Sequence, residues 1–443
     1  MRQLNKRNQS KQTIKRLLIF FYRMKHQKPQ LKASHALGFI FVTIFIDVLG
    51  LGIIIPVLPK LLEMLGHVDN STASEYNGWL TFVYASMQFF FSPVVGNLSD
   101  RFGRRPVLLS SLIGFGIDYT FMAFAPSIAW LFVGRTIAGI TGASSATATA
   151  YIADVSTGDK RSANFGLFGA ASGLGFIIGV ALGAFLGDID IKYPFMAAAL
   201  FAFINAAYGY FVLPESLAKE NRRKFEWSHA NPLIIFKTLI KYSEFGILLF
   251  AFTLVYIGQK AIEYLLSFFV YEKFNWTMTS VGILGLVIGL LLVAIQGGLI
   301  RYLIPRFGVQ RNIIGGLLFY TLGLFLMAFA AHGWQVYIFM IPYCLGGISG
   351  PALQSFITEK VSKKQQGELQ GVLASINSFS IIVGPLFLSY IFRYFTAKSA
   401  LVYFPGAPYI VAGVLMLIST WLVIKSFKKH RTRRPSRRLK EIV

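Results

Sequence analysis

Apolar stretches recur along this chain of 443 residues, each separated from the next by a short polar segment. A helix needs about 20 consecutive apolar residues to cross a bilayer. Runs of that order occupy residues 37–58, 76–96, 107–125, 128–155, 165–187, 193–213, 245–271, 281–300, 312–331, 334–357, 369–395 and 403–424. The pattern predicts an all-α polytopic membrane protein with twelve transmembrane helices. The longest polar connection, residues 214–232, divides the chain into halves of similar length. The predicted organisation is a basic cytoplasmic arm over 1–34, a six-helix bundle over 35–213, a cytoplasmic linker over 214–240, a second six-helix bundle over 241–426 and a basic tail over 427–443.

The halves also repeat. One offset of 205 residues carries the Arg-Phe-Gly of 101–103 onto that of 306–308, Asp154 onto Glu359, Gly166 onto Gly371 and Gly179 onto Gly384. Several positions sharing one offset predict two parallel six-helix repeats, a form known for transporters, with the substrate site at the interface between them.

Composition supports this picture. Hydrophobic residues make up 55% of the chain and charged residues only 14%, against about 25% charged in soluble domains. The formal net charge of +24 is a nucleic-acid signal only if its placement is ignored. Lys and Arg gather at both termini and in alternate connections, at Arg101, Arg104 and Arg105, at Lys160 and Arg161, at Arg222, Arg223 and Lys224, at Arg301, Arg306 and Arg311, and at Lys360, Lys363 and Lys364. The positive-inside rule then places these connections and both termini in the cytoplasm, which an even number of spans requires. The basic ends are expected to meet anionic lipid, and no nucleic acid. Residues 13–25 read either as a basic interfacial helix or as a disordered arm. The single cysteine, Cys344, leaves no intrachain disulfide or cysteine metal site. No cofactor or metal is expected. The chain has no P-loop, H-E-x-x-H or G-x-S-x-G motif, so an enzyme is not expected.

One charged turn stands out, VVGNLSDRFGRRPVLL at 94–109. Gly96 should admit a close neighbouring helix. Gly103 should permit a tight turn. Asp100 should accept from unpaired N–H groups at a helix N-terminus. Arg104 should pair with an acid such as Asp154, and Arg101 completes the motif. Ion pairs between helices that must separate make a gate.

This G-x-x-x-D-R-x-G-R-R turn resembles the signature between helices two and three of the major facilitator superfamily. FIDVLGLGIIIPVLP, LIGFGIDYTFMAF, LFVGRTIAGITGA, YIADVSTGDKR, LPESL, GPALQSFIT and QGELQGVLASINSFSIIVGPL look like the tetracycline-resistance efflux branch of its drug/proton antiporters. The resemblance covers residues 37–424. It implies a secondary transporter that exchanges protons for small amphiphilic molecules, with tetracycline-like drugs among the candidates. The compact loops and the absence of a eukaryotic targeting pattern point to a bacterial inner membrane, and a monomer is expected.

A charge inside a span costs about 2.5–3.5 kcal/mol on insertion scales, so each one is a functional candidate. Asp47, Asp118 and Arg135 lie in predicted spans one, three and four. The resemblance implies substrate and proton handling for them. Arg135 holding an acid ionised is one role; bonding backbone carbonyls is the plainer alternative. Gln88 matches a polar family position and reads as a substrate donor or a packing amide. Lys260 and Glu263, three residues apart on predicted helix seven, share a face and either bind substrate or neutralise each other. Gln259, Gln296, Gln354 and Asn377 are candidates for the same cavity.

Two departures matter. The family's histidine in helix eight and aspartate in helix nine fall on Leu292 and Tyr320 here. In helix five, Gly179-Val180 and Gly183-Ala184 keep the antiporter motif's glycine spacing but lack its proline. A metabolite uniporter or symporter is therefore the alternative within transport. A non-transporting receptor or scaffold is the alternative outside it, which the gate motif disfavours.

Overall fold

The computed structural model describes residues 30–142, 144–156, 160–223, 246–359 and 366–432. The first half holds α1 (Gln30–Gly66), α2 (Asn70–Phe102), α3 (Arg104–Phe124), α4 (Ile128–Thr141), α5 (Ser144–Val155), α6 (Lys160–Ile189) and α7 (Tyr193–Val212). The second holds α8 (Gly246–Phe274), α9 (Met278–Ala294), α10 (Ile300–Phe307), α11 (Val309–Ala328), α12 (Gly333–Gly346), α13 (Ser349–Thr358), α14 (Gln366–Thr396) and α15 (Ala407–Thr432). A π-helical turn, Ile295–Leu299, joins α9 to α10 into one continuous element. The protein is thus an all-α polytopic membrane protein. Among the described residues, ten helical stretches are long and apolar enough to cross a bilayer. Two further predicted spans differ in kind. The α2 helix is 33 residues long but carries polar residues toward both ends, and α4 is an apolar helix of only 14 residues.

That short helix corrects an expectation. Residues 128–155 read as one span, yet the chain breaks at Gly142 before α5 begins. The run 334–357 stays one helical stretch, Gly333–Thr358, which only tightens through i→i−3 bonds at Gly347 and Ile348, the place related to Gly142 by the offset of 205. The two tight turns match as well: Gly103 has φ +109° and Gly308 has φ +78°, the glycines with positive φ among the described residues. In a left-handed or mirror-extended conformation a Cβ would clash with the backbone, so only glycine serves easily.

Packing explains the glycine spacing of predicted helix five. Gly175, Gly179 and Gly183 follow one another every four residues along one face of α6. A Cβ at these positions would come within 2.5, 2.2 and 2.5 Å of the carbonyl oxygens of Phe45, Leu49 and Ile53 on α1. Glycine lets the two backbones touch, which drives association where lipid supplies no hydrophobic contrast. Within the first half, α3 also packs on α4 and α7, and α2 on α4. Within the second, α8 packs on α14 and α15, and α11 on α12 and α15. The halves meet through α2 against α14 and α6 against α9. Gly96 is a correction: among the described residues a Cβ there would meet nothing within 4 Å, so none of them approaches closely. The basic arm before residue 30, Lys224, Lys360, Lys363, Lys364 and the tail beyond residue 432 lie outside the described residues.

Candidate functional site

Two adjoining cavities lie between the halves. The first, of about 230 Å³, is lined from α1, α2 and α8, with Arg135 on its wall. The second, of about 460 Å³, is lined mainly from the second half. Ile55, Phe176, Glu263 and Ser267 belong to both, so the spaces adjoin along α8. Tyr84, Tyr264 and Phe268 make the first wall aromatic, while Tyr256, Tyr320 and Tyr343 do so in the second.

Asp118 of α3 and Arg135 of α4 form an ion pair at 2.6 Å, with side chains only 1% and 10% exposed. The α3 and α4 helices pack together, which brings the two charges face to face. Inside a bilayer each would be costly alone, and neutralising one another lowers that cost. Arg135 also lies over the Tyr84 ring, 5.6 Å from its centre. Asp47, half-buried on α1, acts electrostatically on Tyr84 and Tyr119, as do Asp118 and Arg135. Of the three intramembrane charges singled out in the first half, Asp118 and Arg135 are thus brought together with Arg135 on the first cavity's wall, while Asp47 lines neither cavity.

The remaining candidates divide. Gln259, Glu263, Gln296 and Gln354 line the second cavity; Asn377, half-buried on α14, lines neither. Gln259 donates to the Tyr320 hydroxyl at 3.0 Å, and Gln354 to Gln370 at 3.0 Å. Leu292 and Tyr320, the departures noted above, both face the second cavity. Lys260 lines neither cavity; it is buried and pairs with Glu263 at 2.5 Å. Gln88 also lines neither: its amide donates to the Gly142 carbonyl at 2.9 Å and to Tyr84 at 3.3 Å. It closes the backbone left open where α4 ends, which is the packing role.

At the end of the bundle bearing the charged turn, Arg104 binds Asp100 at 2.6 Å and Asp154 at 3.3 Å. Arg101 lies against the Phe102 ring. The expected acceptor role of Asp100 falls instead to Glu215. Its carboxylate receives the backbone N–H of Arg104 at 2.8 Å, of Arg105 at 3.3 Å and of Leu217 at 3.0 Å. Asp100 is drawn off by the guanidinium four residues ahead, and Glu215 reaches the N-terminus of α3 from the segment after α7. Nothing in the sequence near Glu215 pointed to this; the contact spans 111 residues. Ser216 adds a bond to Asp154 at 3.1 Å. All of these contacts stay within the first half and the segment that follows it.

At the opposite end the halves are bonded to each other. Asn70 of α2 donates to the Phe268 carbonyl and to Glu272 of α8, both at 2.9 Å. Arg393 of α14 forms an ion pair with Glu75, and Ser71 bonds the Arg393 carbonyl at 3.2 Å and the Thr396 hydroxyl at 2.9 Å. Asp188 beyond the glycine ladder of α6 receives the Thr279 N–H at 2.9 Å. The Tyr271 hydroxyl donates to the Pro56 carbonyl at 2.6 Å. One end is sealed across the halves, and the cavities lie between them.

A helical membrane bundle with aromatic cavities enclosed among its helices and buried charge in their wall has the architecture of a carrier. Known proteins place it further. The model of the Major Facilitator Superfamily matches residues 40–385 and 248–442, and the chain belongs to that family. It is 39% identical over 388 residues to the class C tetracycline resistance protein of Escherichia coli, covering 88% of this chain and 96% of that one. It is 35% identical to the class H protein of Pasteurella multocida, covering 85% and 92%. The crystal structure of the human organic anion transporter MFSD10 (TETRAN) superposes with a TM-score of 0.66 at 23% identity, over 90% of this chain and all of that one, a likeness of fold. The protein is a secondary active transporter of small organic molecules, not an enzyme.

Proposed function

We propose that this protein exports small amphiphilic organic molecules in exchange for protons across a bacterial inner membrane. Tetracycline-class compounds belong among the first to test, because the relatives named above are tetracycline resistance proteins. The observation that carries the proposal is the buried Asp118–Arg135 pair on the wall of the inter-half cavity. A carboxylate held by a guanidinium inside a span can take a proton only when the pair is disturbed. Substrate entering beside Arg135 is one such disturbance, so cargo and proton compete for one site.

Twelve spans in two six-helix repeats are the arrangement alternating access calls for, and the matched turns at Gly103 and Gly308 support that reading. Under this reading the bundles cover 35–213 and 241–426, the arm, linker and tail are cytoplasmic, and the protein works as a monomer in contact with anionic lipid. The sealed end is then periplasmic, and the structure is the inward-facing state. Asp100, Arg101, Gly103, Arg104, Asp154 and Glu215 form the cytoplasmic gate of the first half.

The test is substrate-evoked proton flux in liposomes carrying an internal pH dye. Asp118→Asn should abolish coupled flux while insertion and expression persist. Flux at the wild-type rate in a well-inserted Asp118→Asn protein refutes the proton role. Transport without proton movement in the wild type points instead to the uniporter reading, which Leu292 and Tyr320 at the family's histidine and aspartate positions favour.

A further inference from the structure

The cavity-facing side of α8 carries three polar residues at intervals of four, Gln259, Glu263 and Ser267, and all three line the second cavity. At 1.5 Å rise per residue they form a polar ladder about 12 Å long in an otherwise aromatic and aliphatic wall. Their states differ. Gln259 is engaged with Tyr320. Ser267 is 3% exposed, and its hydroxyl has no hydrogen-bond partner among the described residues. Glu263 is 44% exposed, and among the described residues it is the one carboxylate lining either cavity.

The charges around these cavities are arranged front to back. Arg135 lines the first cavity, but Asp118, which lines neither, neutralises it from behind. Glu263 stands in front, and Lys260, 7% exposed and lining neither cavity, neutralises it from behind at 2.5 Å. A ligand in the space where the cavities adjoin therefore meets a carboxylate and an unsatisfied hydroxyl one helical turn apart. An unpartnered buried hydroxyl costs stability, so a group that bonds it recovers that cost. The Lys260 ammonium also lies over the Tyr264 ring, 5.8 Å from its centre, so this aromatic face holds the same cation that neutralises Glu263.

We propose that Glu263 and Ser267 form a subsite for the protonated amine of an amphiphilic substrate. The ammonium donates to the Glu263 carboxylate and to the Ser267 hydroxyl, taking over from Lys260 as the partner of Glu263. Lys260 is a built-in competitor: it keeps the carboxylate neutralised when the cavity is empty and sets a threshold that uncharged molecules do not have to meet. The subsite selects among cargo and is separate from the Asp118–Arg135 pair. The inference rests on the reading of the inter-half cavity as the cargo site.

The test uses two fluorescent probes titrated into the full-length protein in lipid nanodiscs. N-dansylcadaverine ends in a protonated primary amine; N-hexyl-dansylamide replaces that amine by a methyl group on a chain of the same length. The readout is the ratio of their dissociation constants. Wild type should favour the amine. Glu263→Gln should cut that preference about tenfold or more, equivalent to about 1.4 kcal/mol. Glu263→Asp should restore part of it, and Ser267→Ala should cut it several-fold. Lys260→Met should raise the preference, a direction that loss of packing alone would not produce. The inference is overturned, with the cavity reading intact, if wild type binds both probes equally or Glu263→Gln leaves the ratio unchanged. It is overturned together with the cavity reading if wild type binds neither.

Discussion

Two glycines at repeat-related turns allow a paired experiment. Gly103 and Gly308 occupy similar backbone conformations, with φ of +109° and +78° and ψ of 164° and 158°. Alanine at either should cost about 1–3 kcal/mol in backbone strain, because this region is nearly closed to residues with a Cβ. Their surroundings differ. At Gly308 an added Cβ meets nothing within 4 Å among the described residues. At Gly103 it would fall 2.0 Å from the Glu215 carboxylate, which must then withdraw from the N–H groups of Arg104 and Arg105. Losing one charge-assisted bond there adds about 1.5–3 kcal/mol. Gly308→Ala should therefore cost about 1–3 kcal/mol and Gly103→Ala about 2.5–6 kcal/mol. Glu215→Gln should cost less in the Gly103→Ala background than in wild type, because the carboxylate has already been displaced. The assay is thermal stability of the purified variants by monodispersity after heating, alongside transport. Equal losses for the two alanine variants, or additive losses for Gly103→Ala and Glu215→Gln, would refute the assignment of Glu215 as the acceptor of this turn.

Other outcomes follow from individual contacts. Glu75→Gln removes an ion pair at the sealed end whose partners are 25% and 44% exposed, so the pair contributes at most about 1 kcal/mol. In a Cys344→Ser background, a cysteine replacing Asn77 should then react with maleimide from that side up to about fivefold faster; an unchanged rate counts against the pair as part of the seal. Gln88→Ala should lower stability by about 1 kcal/mol through the lost bond to Gly142 while leaving substrate KM unaltered, and a raised KM would restore a binding role. Asp69 caps α2 by accepting the Thr72 N–H at 2.9 Å, which holds its carboxyl below the ordinary value. That contribution is complete above the unfolded carboxyl's titration range and is lost as pH falls through the lower folded value. Asp69→Asn should keep the cap and flatten this part of the acid melting profile; an unchanged profile refutes it.

Most spans were legible because a bilayer asks for one simple property, apolar length, which ten helical stretches among the described residues meet. The two tight turns were legible for a similar reason: Gly103 and Gly308 answer a backbone demand that no other residue meets easily. Local pairing could also be read, since Lys260 and Glu263 lie three apart on one helix and must share a face. What escaped was whatever depends on long-range approach. Glu215 reads as part of a linker, and nothing near it in sequence says that it reaches the start of α3. Asp100 looked like the acceptor because it is close in sequence, yet Arg104, closer still in space, claims it first. Gly96 looked like a contact because glycine in a span often is one, and here the neighbour is missing.

The broken helix of the first half shows how one feature can be invisible in sequence and still shape the site. Residues 128–155 read as an uninterrupted span because glycine, alanine and serine do not lower hydropathy enough to mark an end. A helix that stops inside a membrane leaves backbone carbonyls that neither water nor lipid satisfies. At Gly142 the remedy is the Gln88 amide from α2. At Gly347 the stretch Gly333–Thr358 runs on through a tighter turn, where the Ser349 hydroxyl donates to the Gly346 carbonyl at 2.7 Å, and Gly347 lines the second cavity. The two halves need not do the same work: the first holds the buried Asp118–Arg135 pair, and the second, with Leu292 and Tyr320 in its wall, presents polar contacts along α8. This division is why cargo choice and proton coupling should separate by mutation, with Glu263 altering which molecules bind and Asp118 altering whether protons move.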